Sequence, residues 1–125
     1  MGELADIALR SDDPDMGQLR TAVPQEDVAR YVEIQASLDG IRYVPYAAPV
    51  PLLFQFAQYE RYFDKASMDR YAAAASEPRE VKWYPTGHEL FDFRALADRV
   101  AWLQKHIGLK PVTPFPDAMI RSTSK

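Results

Sequence analysis

Cysteine is absent from this sequence. Its absence excludes disulfide bonds, a thiolate nucleophile within the chain and any metal site built on cysteine ligands. Long apolar runs are also missing, because no stretch of about 18 apolar residues exists that could form a transmembrane helix. The opening segment MGELADIALR carries two acidic side chains and does not resemble a secretory signal peptide. These absences lead us to expect a soluble, cytoplasmic protein.

Clustered basic charge is lacking as well. The 15 Lys and Arg residues form no block, and the net charge is −3. Since contact with a phosphate backbone needs clustered basic side chains, we expect no nucleic-acid partner. Asp6 stands where a myristoylation signal has Ser or Thr, so we expect no membrane partner either. The only two histidines, His88 and His106, match no metal-ligand spacing, and we predict neither a metal nor another cofactor.

The composition is that of one globular domain, with 125 residues of which 47% are hydrophobic and 26% charged. Apolar residues at helical spacing predict a helix over Pro24–Leu38. Before it we predict a short helical turn at Leu4–Leu9 and an irregular segment over 11–22. Residues 41–51 contain several prolines, which favour extended backbone in the residues that precede them. We therefore predict an extended lead-in there.

Two strands and two helices are predicted after this lead-in. Val50–Ala57 is an almost continuous apolar run, the pattern of a parallel strand that is buried on both faces. Arg79–Tyr84 alternates in polarity, and a turn is predicted at 85–87. A helix capped by Asp64 lies between the strands, and a helix with one apolar stripe runs from about Asp92 to Ile107. Strands that alternate with helices indicate an α/β fold with parallel strands.

Two polar residues follow the ends of these strands. Glu60 comes three residues after the first predicted strand, and His88 about four residues after the second. Because ligands of open α/β sheets gather beyond the carboxyl ends of the strands, we expect the two side chains to meet. A carboxylate that binds one imidazole nitrogen leaves the other free to take a proton from a hydroxyl nucleophile. The alternatives are a solvent-exposed Glu60 paired with Arg61 or Lys65 and a structural His88.

This region also resembles a known family. The segment PVPLLFQFAQYERYF, then a helix, then EVKWYPTGHELFDFRALADRVAWLQKHIGL look like the C-terminal part of the α/β-hydrolase superfamily, most like its dienelactone-hydrolase and esterase branches. Those families place a triad acid after one late strand, a helix, a strand that leads into a Gly-His turn, and a closing helix with a pattern like Trp102-Leu103. Position by position, Glu60 falls on the acid and His88 on the general base. Tyr59 and Tyr62 are candidate substrate-binding residues, with packing against the next helix as their alternative role.

The resemblance implies a partial α/β-hydrolase fold in three parts. Residues 1–45 form an irregular segment and a helix that precede the core, 46–109 form the C-terminal β-α-β-α unit, and 110–125 form a surface tail that frays. Two features differ from the family pattern: the acid is Glu rather than Asp, and the G-x-S-x-G nucleophile elbow is missing. None of the serines lies between glycines; they are Ser11, Ser37, Ser67, Ser76, Ser122 and Ser124.

Three functions are compatible with this pattern. The first is the C-terminal part of a serine-type α/β hydrolase that acts on a small ester, lactone or thioester and lacks its own nucleophile. The second is a non-catalytic relic of that fold that serves as a binding or dimerisation module. The third is an unrelated small α/β ligand-binding domain. Because two strands rarely make an independent core, we expect a homodimer or a complementing N-terminal hydrolase chain as the partner.

Overall fold

A pair of parallel strands organises the structure, a computed structural model that describes residues 10–110. Strand β1 is Leu52–Tyr59 and strand β2 is Arg79–Gly87, and they pair in parallel with Phe56 opposite Trp83. The prediction of an α/β fold with parallel strands is confirmed at this level. The strand limits differ from the prediction: β1 lies two residues further along the chain, and β2 continues through the predicted 85–87 turn.

The extension of β2 has a physical cause. Tyr59 pairs with Gly87 across an irregularity in the register, which holds the chain extended past Tyr84. A proline inside this segment is tolerated because an outer strand has one side without ladder hydrogen bonds, where no N–H is needed. Both strands of a two-stranded sheet are outer strands.

The predicted helix between the strands is helix α3, Lys65–Ala74. Asp64 begins it, since its carboxylate accepts the main-chain N–H of Ser67 at 2.6 Å. The helix packs through Ala72 against Phe54 of β1, and the rings of Phe54 and Tyr71 meet edge to face at 5.5 Å. This cluster forms the centre of the small core.

Helix α4, Phe93–Ile107, is confirmed almost residue for residue. Asp92 caps its start, and Gly108 follows its end in the left-handed conformation with φ of 65°. The helix is attached to the sheet by side-chain hydrogen bonds: the Gln55 amide donates to the Ala95 carbonyl at 2.6 Å, and Arg99 donates to the Gln55 oxygen at 2.7 Å. These contacts fix helix α4, which begins five residues after His88.

Two predictions for the first half of the chain were wrong. Residues 11–22 were expected to be irregular, but helix α1 runs over Pro14–Ala22, because Asp13 accepts the N–H of Asp15 at 2.9 Å and Pro14 supplies a helical φ at the first position. Helix α2, Gln25–Ala36, agrees with the helix predicted there. The predicted turn at Leu4–Leu9 and tail at 111–125 lie outside the described residues.

The lead-in to β1 is also not extended. It forms two short 3₁₀ turns, Gly40–Arg42 and Val44–Tyr46. Asp39 starts the first by accepting the Ile41 N–H at 3.2 Å. In the second, Tyr46 N–H donates to the Tyr43 carbonyl at 2.9 Å and Ser76 N–H to the Val44 carbonyl at 3.0 Å, and these bonds outweigh the proline preference for an extended Val44. Within residues 10–110, no helix has the length and apolar character needed to span a bilayer.

Candidate active site

Glu60 and His88 meet at the carboxyl end of the sheet. Each is the first residue after its strand, and parallel pairing brings these two strand ends side by side. The Nδ1 atom of His88 lies 2.8 Å from Oε2 and 3.0 Å from Oε1 of Glu60. The expectation that these side chains would meet is therefore confirmed in geometry.

The carboxylate of Glu60 is held by the main chain that follows it. Its Oε1 atom accepts the N–H groups of Arg61 and Tyr62, each at 2.9 Å. The Glu60 side chain is only 8% exposed, whereas that of His88 is 43% exposed. The main chain therefore holds the Glu60 carboxylate in the orientation in which it contacts the imidazole.

This arrangement determines which nitrogen of His88 carries the proton. A carboxylate can only accept hydrogen bonds, so Nδ1 must donate to Glu60. In the neutral imidazole, Nε2 is then an unprotonated acceptor. No group within residues 10–110 forms a hydrogen bond with Nε2. The pair of Glu60 and His88, called the dyad below, thus leaves Nε2 as an acceptor without a hydrogen-bond partner among the described residues.

The imidazole is also supported by aromatic and charged neighbours. The ring of Tyr62 meets that of His88 edge to face at 4.8 Å, and the guanidinium of Arg61 lies 4.6 Å from the centre of the Tyr62 ring. Arg61 also lies 3.6 Å from Asp13 and 3.7 Å from Asp15 at the start of α1. Helix α1 is in this way connected to the loop that carries the acid.

A cavity of about 240 Å³ opens beside the dyad, between β1 and α3. Glu60 and His88 line one part of it. The remaining walls are mainly apolar and include Phe56, Ala57, Phe63, Met68, Tyr71 and Leu90. Burial raises the pKa of the Tyr71 phenol, and the nearby Asp39 carboxylate raises it further. The site therefore combines a polar dyad with a small apolar compartment.

The two predicted substrate-binding tyrosines occupy different places. Tyr62 contacts the imidazole directly. Tyr59 is 68% exposed at the end of β1 and does not line the cavity. Their role in binding substrate stays a prediction.

The sequence analysis missed Met68 and Leu90 as cavity walls. Met68 and Tyr71 are apolar side chains three residues apart on α3, and both lie on the face of this helix that lines the cavity. A stripe pattern identifies the face of a helix that packs inward but does not show where packing leaves a space. Leu90 had a weak signal, since it follows His88 by two residues and thus lies near the same strand end.

No described residue is placed to act as the nucleophile. Ser67 lines the cavity, but its hydroxyl and its N–H both bind the Asp64 carboxylate and lower the pKa of that acid, with the N–H contributing most. Among residues 10–110, no group of three His, Asp or Glu side chains is arranged to hold a metal ion. The described residues thus provide a carboxylate–imidazole pair, Glu60 and His88, without a hydroxyl group hydrogen-bonded to the imidazole.

Comparisons of the chain with family models, with curated proteins and with solved structures found no match. The likeness to α/β hydrolases consequently stays a prediction from the sequence.

Proposed function

We propose that residues 46–109 supply the acid and base of a hydrolase site for a small ester, lactone or thioester, in the manner of the C-terminal part of a serine-type α/β hydrolase. His88 is the general base and Glu60 orients it. The observation that carries this proposal is the two-oxygen contact of Glu60 with His88 Nδ1, at 2.8 and 3.0 Å. A cytoplasmic location, as expected from the sequence, is part of the same proposal.

The chemistry follows from the free Nε2 atom. A hydroxyl or thiol of the nucleophile gives its proton to Nε2 as its oxygen or sulfur attacks the substrate carbonyl carbon. The imidazolium, stabilised by Glu60, then returns that proton to the leaving oxygen or sulfur as the substrate bond breaks. General-base catalysis of this kind contributes about 10²-fold to 10⁴-fold in rate.

The nucleophile is proposed to come from a second polypeptide, either another copy of this chain or a complementing N-terminal hydrolase chain. Within residues 10–110 the sheet has two strands, so each strand has an unpaired outer edge. No large side chain in this range is fully buried. Both features favour a fold that is completed by pairing with further strands.

A non-catalytic binding or dimerisation module is the second candidate. Exposed aromatic residues favour it: Phe91 is 89% exposed, Tyr46 is 84% exposed and Tyr59 is 68% exposed. Aromatic side chains are enriched in protein–protein interfaces relative to the rest of the protein surface. In this case the Glu60–His88 pair would be structural, and partner binding would not change in a His88→Ala variant.

The hydrolase proposal is tested by supplying the missing nucleophile as a small molecule. The purified chain is mixed with p-nitrophenyl acetate and trifluoroethanol, and formation of the trifluoroethyl ester is followed together with release of p-nitrophenol. We expect His88→Ala to lower the alcohol-dependent rate by about tenfold or more, since the base that takes the alcohol proton is removed.

His106→Ala is the matched control, because it removes the other histidine, which lies in α4 outside the cavity. Its rate should equal that of the unmodified chain. Equal rates for the unmodified chain and His88→Ala would refute the catalytic proposal and favour the binding module.

A further inference from the structure

Two polar residues in the wall of the cavity beside the dyad, Gln55 and Ser67, already have hydrogen-bond partners. The Gln55 amide nitrogen binds the Ala95 carbonyl and the Tyr84 hydroxyl, and its oxygen accepts from Arg99. The Ser67 hydroxyl binds Asp64. Apart from Glu60 and His88, no charged side chain lines the cavity within the described residues. A ligand there would meet mainly apolar surface.

One wall of the cavity is held in an unfavourable backbone conformation. Leu90 has φ of 53°, in the left-handed region that costs a branched-chain or bulky residue about 1–2 kcal/mol. The turn around it is fixed by hydrogen bonds from Leu90 N–H to the Gly87 carbonyl at 3.0 Å and from Asp92 N–H to the Leu90 carbonyl at 2.8 Å. The same turn presents His88. A glycine would adopt this backbone without strain, whereas Leu90 places a side chain in the cavity wall.

The position of the cavity relative to the dyad decides which part of a substrate it can receive. The leaving oxygen must reach Nε2 to be protonated, and His88, whose side chain is 43% exposed, itself lines the cavity. The group on the other side of the carbonyl carbon can then enter the cavity, where Phe56, Met68 and Leu90 lie.

We propose that this cavity binds the group attached to the substrate's carbonyl carbon, and that the group is small, uncharged and apolar: a phenyl ring or a short alkyl chain. This assignment of substrate class rests on the proposed function. A cavity of roughly 150 Å³ accommodates benzene, which has six heavy atoms, so a volume of about 240 Å³ corresponds to a group of up to about ten heavy atoms by the same scale. Long-chain acyl groups are too large for this cavity, and charged acyl groups are disfavoured by its mainly apolar walls.

The inference is tested by binding, independently of turnover. Methyl ketones of increasing length, from butanone to tridecan-2-one, serve as uncharged analogues that cannot be hydrolysed. Binding is followed by NMR of ¹³C-labelled methionine methyl groups, with Met68 in the cavity wall and Met16 of α1 as the internal control. We expect the Met68 signal to shift and the affinity to rise by about fourfold per CH₂ until the cavity is full, with no further gain beyond that length.

A cavity variant sharpens the test. Leu90→Ala removes one wall and should move the length at which affinity stops rising toward longer ketones, whereas Leu19→Ala, on α1, should leave that length unchanged. If Leu90→Ala does not fold, Leu90→Gly provides the same comparison, because glycine adopts the positive φ at this position without strain: the length limit should again move toward longer ketones, read from the Met68 signal.

The outcomes separate this inference from the proposed function. Ketones that bind without shifting the Met68 signal, or that shift the Met16 signal equally, would overturn the cavity assignment. A Met68 shift with the expected length limit supports the assignment, even if His88→Ala has no effect on ester transfer; that second result would overturn only the hydrolase proposal.

Discussion

The orientation of His88 depends on a single carboxylate. Both oxygens of Glu60 face Nδ1, while Oε1 also accepts two main-chain N–H groups. A glutamine at this position has only one acceptor oxygen. We expect that oxygen to keep the main-chain hydrogen bonds, so that the NH₂ group faces Nδ1.

The first prediction concerns the tautomer of His88. In Glu60→Gln, Nδ1 must accept instead of donate, and the proton of the neutral imidazole moves to Nε2. The ¹⁵N chemical shifts of the ring, recorded at alkaline pH, should show Nδ1–H in the unmodified chain and Nε2–H in the variant. Glu89→Gln, which changes the exposed neighbour of His88, should leave both shifts unchanged. An Nε2–H tautomer in the unmodified chain would contradict the proposed base.

The second prediction concerns the contact between Gly40 and Tyr71. A Cβ atom at position 40 would overlap the Tyr71 hydroxyl oxygen, and the Tyr71 ring is held in place by its edge-to-face contact with Phe54. Gly40→Ala should therefore lower the free energy of unfolding by about 1–3 kcal/mol, measured by urea denaturation. Adding Tyr71→Phe removes the overlapping oxygen and should recover part of the loss. If the changes in the free energy of unfolding caused by Gly40→Ala and Tyr71→Phe simply add, the overlap with the Tyr71 hydroxyl is not the cause of the lost stability.

The candidate site was predictable from sequence where it depends on strand ends. Glu60 and His88 were identified because Glu60 follows an apolar run and His88 an alternating segment, both of strand length, and parallel pairing then brings them together. The wall formed by Leu90 was not predictable, because its left-handed backbone results from a turn that only the folded arrangement reveals.

At the scale of elements, the attachment of α4 to the sheet depends on buried polar groups. Tyr84 of β2 is 4% exposed, and its hydroxyl donates to Asp98 of α4 at 2.8 Å. Lys82 lies 2.9 Å from the other oxygen of Asp98. Burial of the phenol raises the pKa of Tyr84 to about 12, and the Asp98 carboxylate adds to this shift.

The third prediction follows from this raised pKa. The folded state binds the phenolic proton more tightly than the unfolded state, whose tyrosine pKa is about 10. The corresponding stability is fully present below about pH 10 and is lost as the pH rises through about 12. Tyr84→Phe should reduce this loss of stability at alkaline pH. It should also lower the free energy of unfolding near neutral pH by about 1 kcal/mol, because the hydrogen bonds of the hydroxyl are lost. Urea midpoints between pH 8 and 11.5 provide the measurement.

The control for this alkaline loss is Tyr46→Phe, since Tyr46 is 84% exposed. Its stability profile should follow that of the unmodified chain throughout the pH range. If Tyr46→Phe and Tyr84→Phe give the same profile, the alkaline loss does not arise from the attachment of α4.

The elements differ in how far sequence alone predicts them. Strand β1 and helix α4 have strong local patterns, an apolar run and an apolar stripe, and both were found. Helix α1 has no buried residue and therefore no such pattern; its cap at Asp13 and the contacts of Arg61, distant in sequence, support it. The end of β2 was missed for a related reason, since it is the partner residue Tyr59 that extends it.

At the scale of the whole molecule, the outer edges of the described sheet raise the question of association. An exposed strand edge flanked by apolar side chains favours pairing with another chain. Tyr59 lies at the end of β1 and is 68% exposed, and Val50, just before β1, is 61% exposed. A second copy of the chain is the simplest partner.

The fourth prediction concerns this association. Sedimentation velocity over a range of concentrations should detect a dimer of the unmodified chain. Tyr59→Lys places a charge at the end of β1 and should raise the dimer dissociation constant by about tenfold or more. Tyr31→Lys, at a residue of α2 that is 52% exposed, should have little effect on the dissociation constant. A monomer at every concentration would exclude self-association and leave a complementing chain as the only proposed partner.

The parallel pairing of β1 and β2 has a consequence for how the site is switched on during folding. Glu60 and His88 are 28 residues apart in sequence, and the intervening chain must complete α3 and the crossover before the two side chains meet. A hairpin would allow them to meet after one local turn, but parallel strands do not. The contact between Glu60 and His88 and the closure of the β-α-β unit should accordingly form in the same kinetic phase, so that the ring signals of His88 report on the folding of the whole unit.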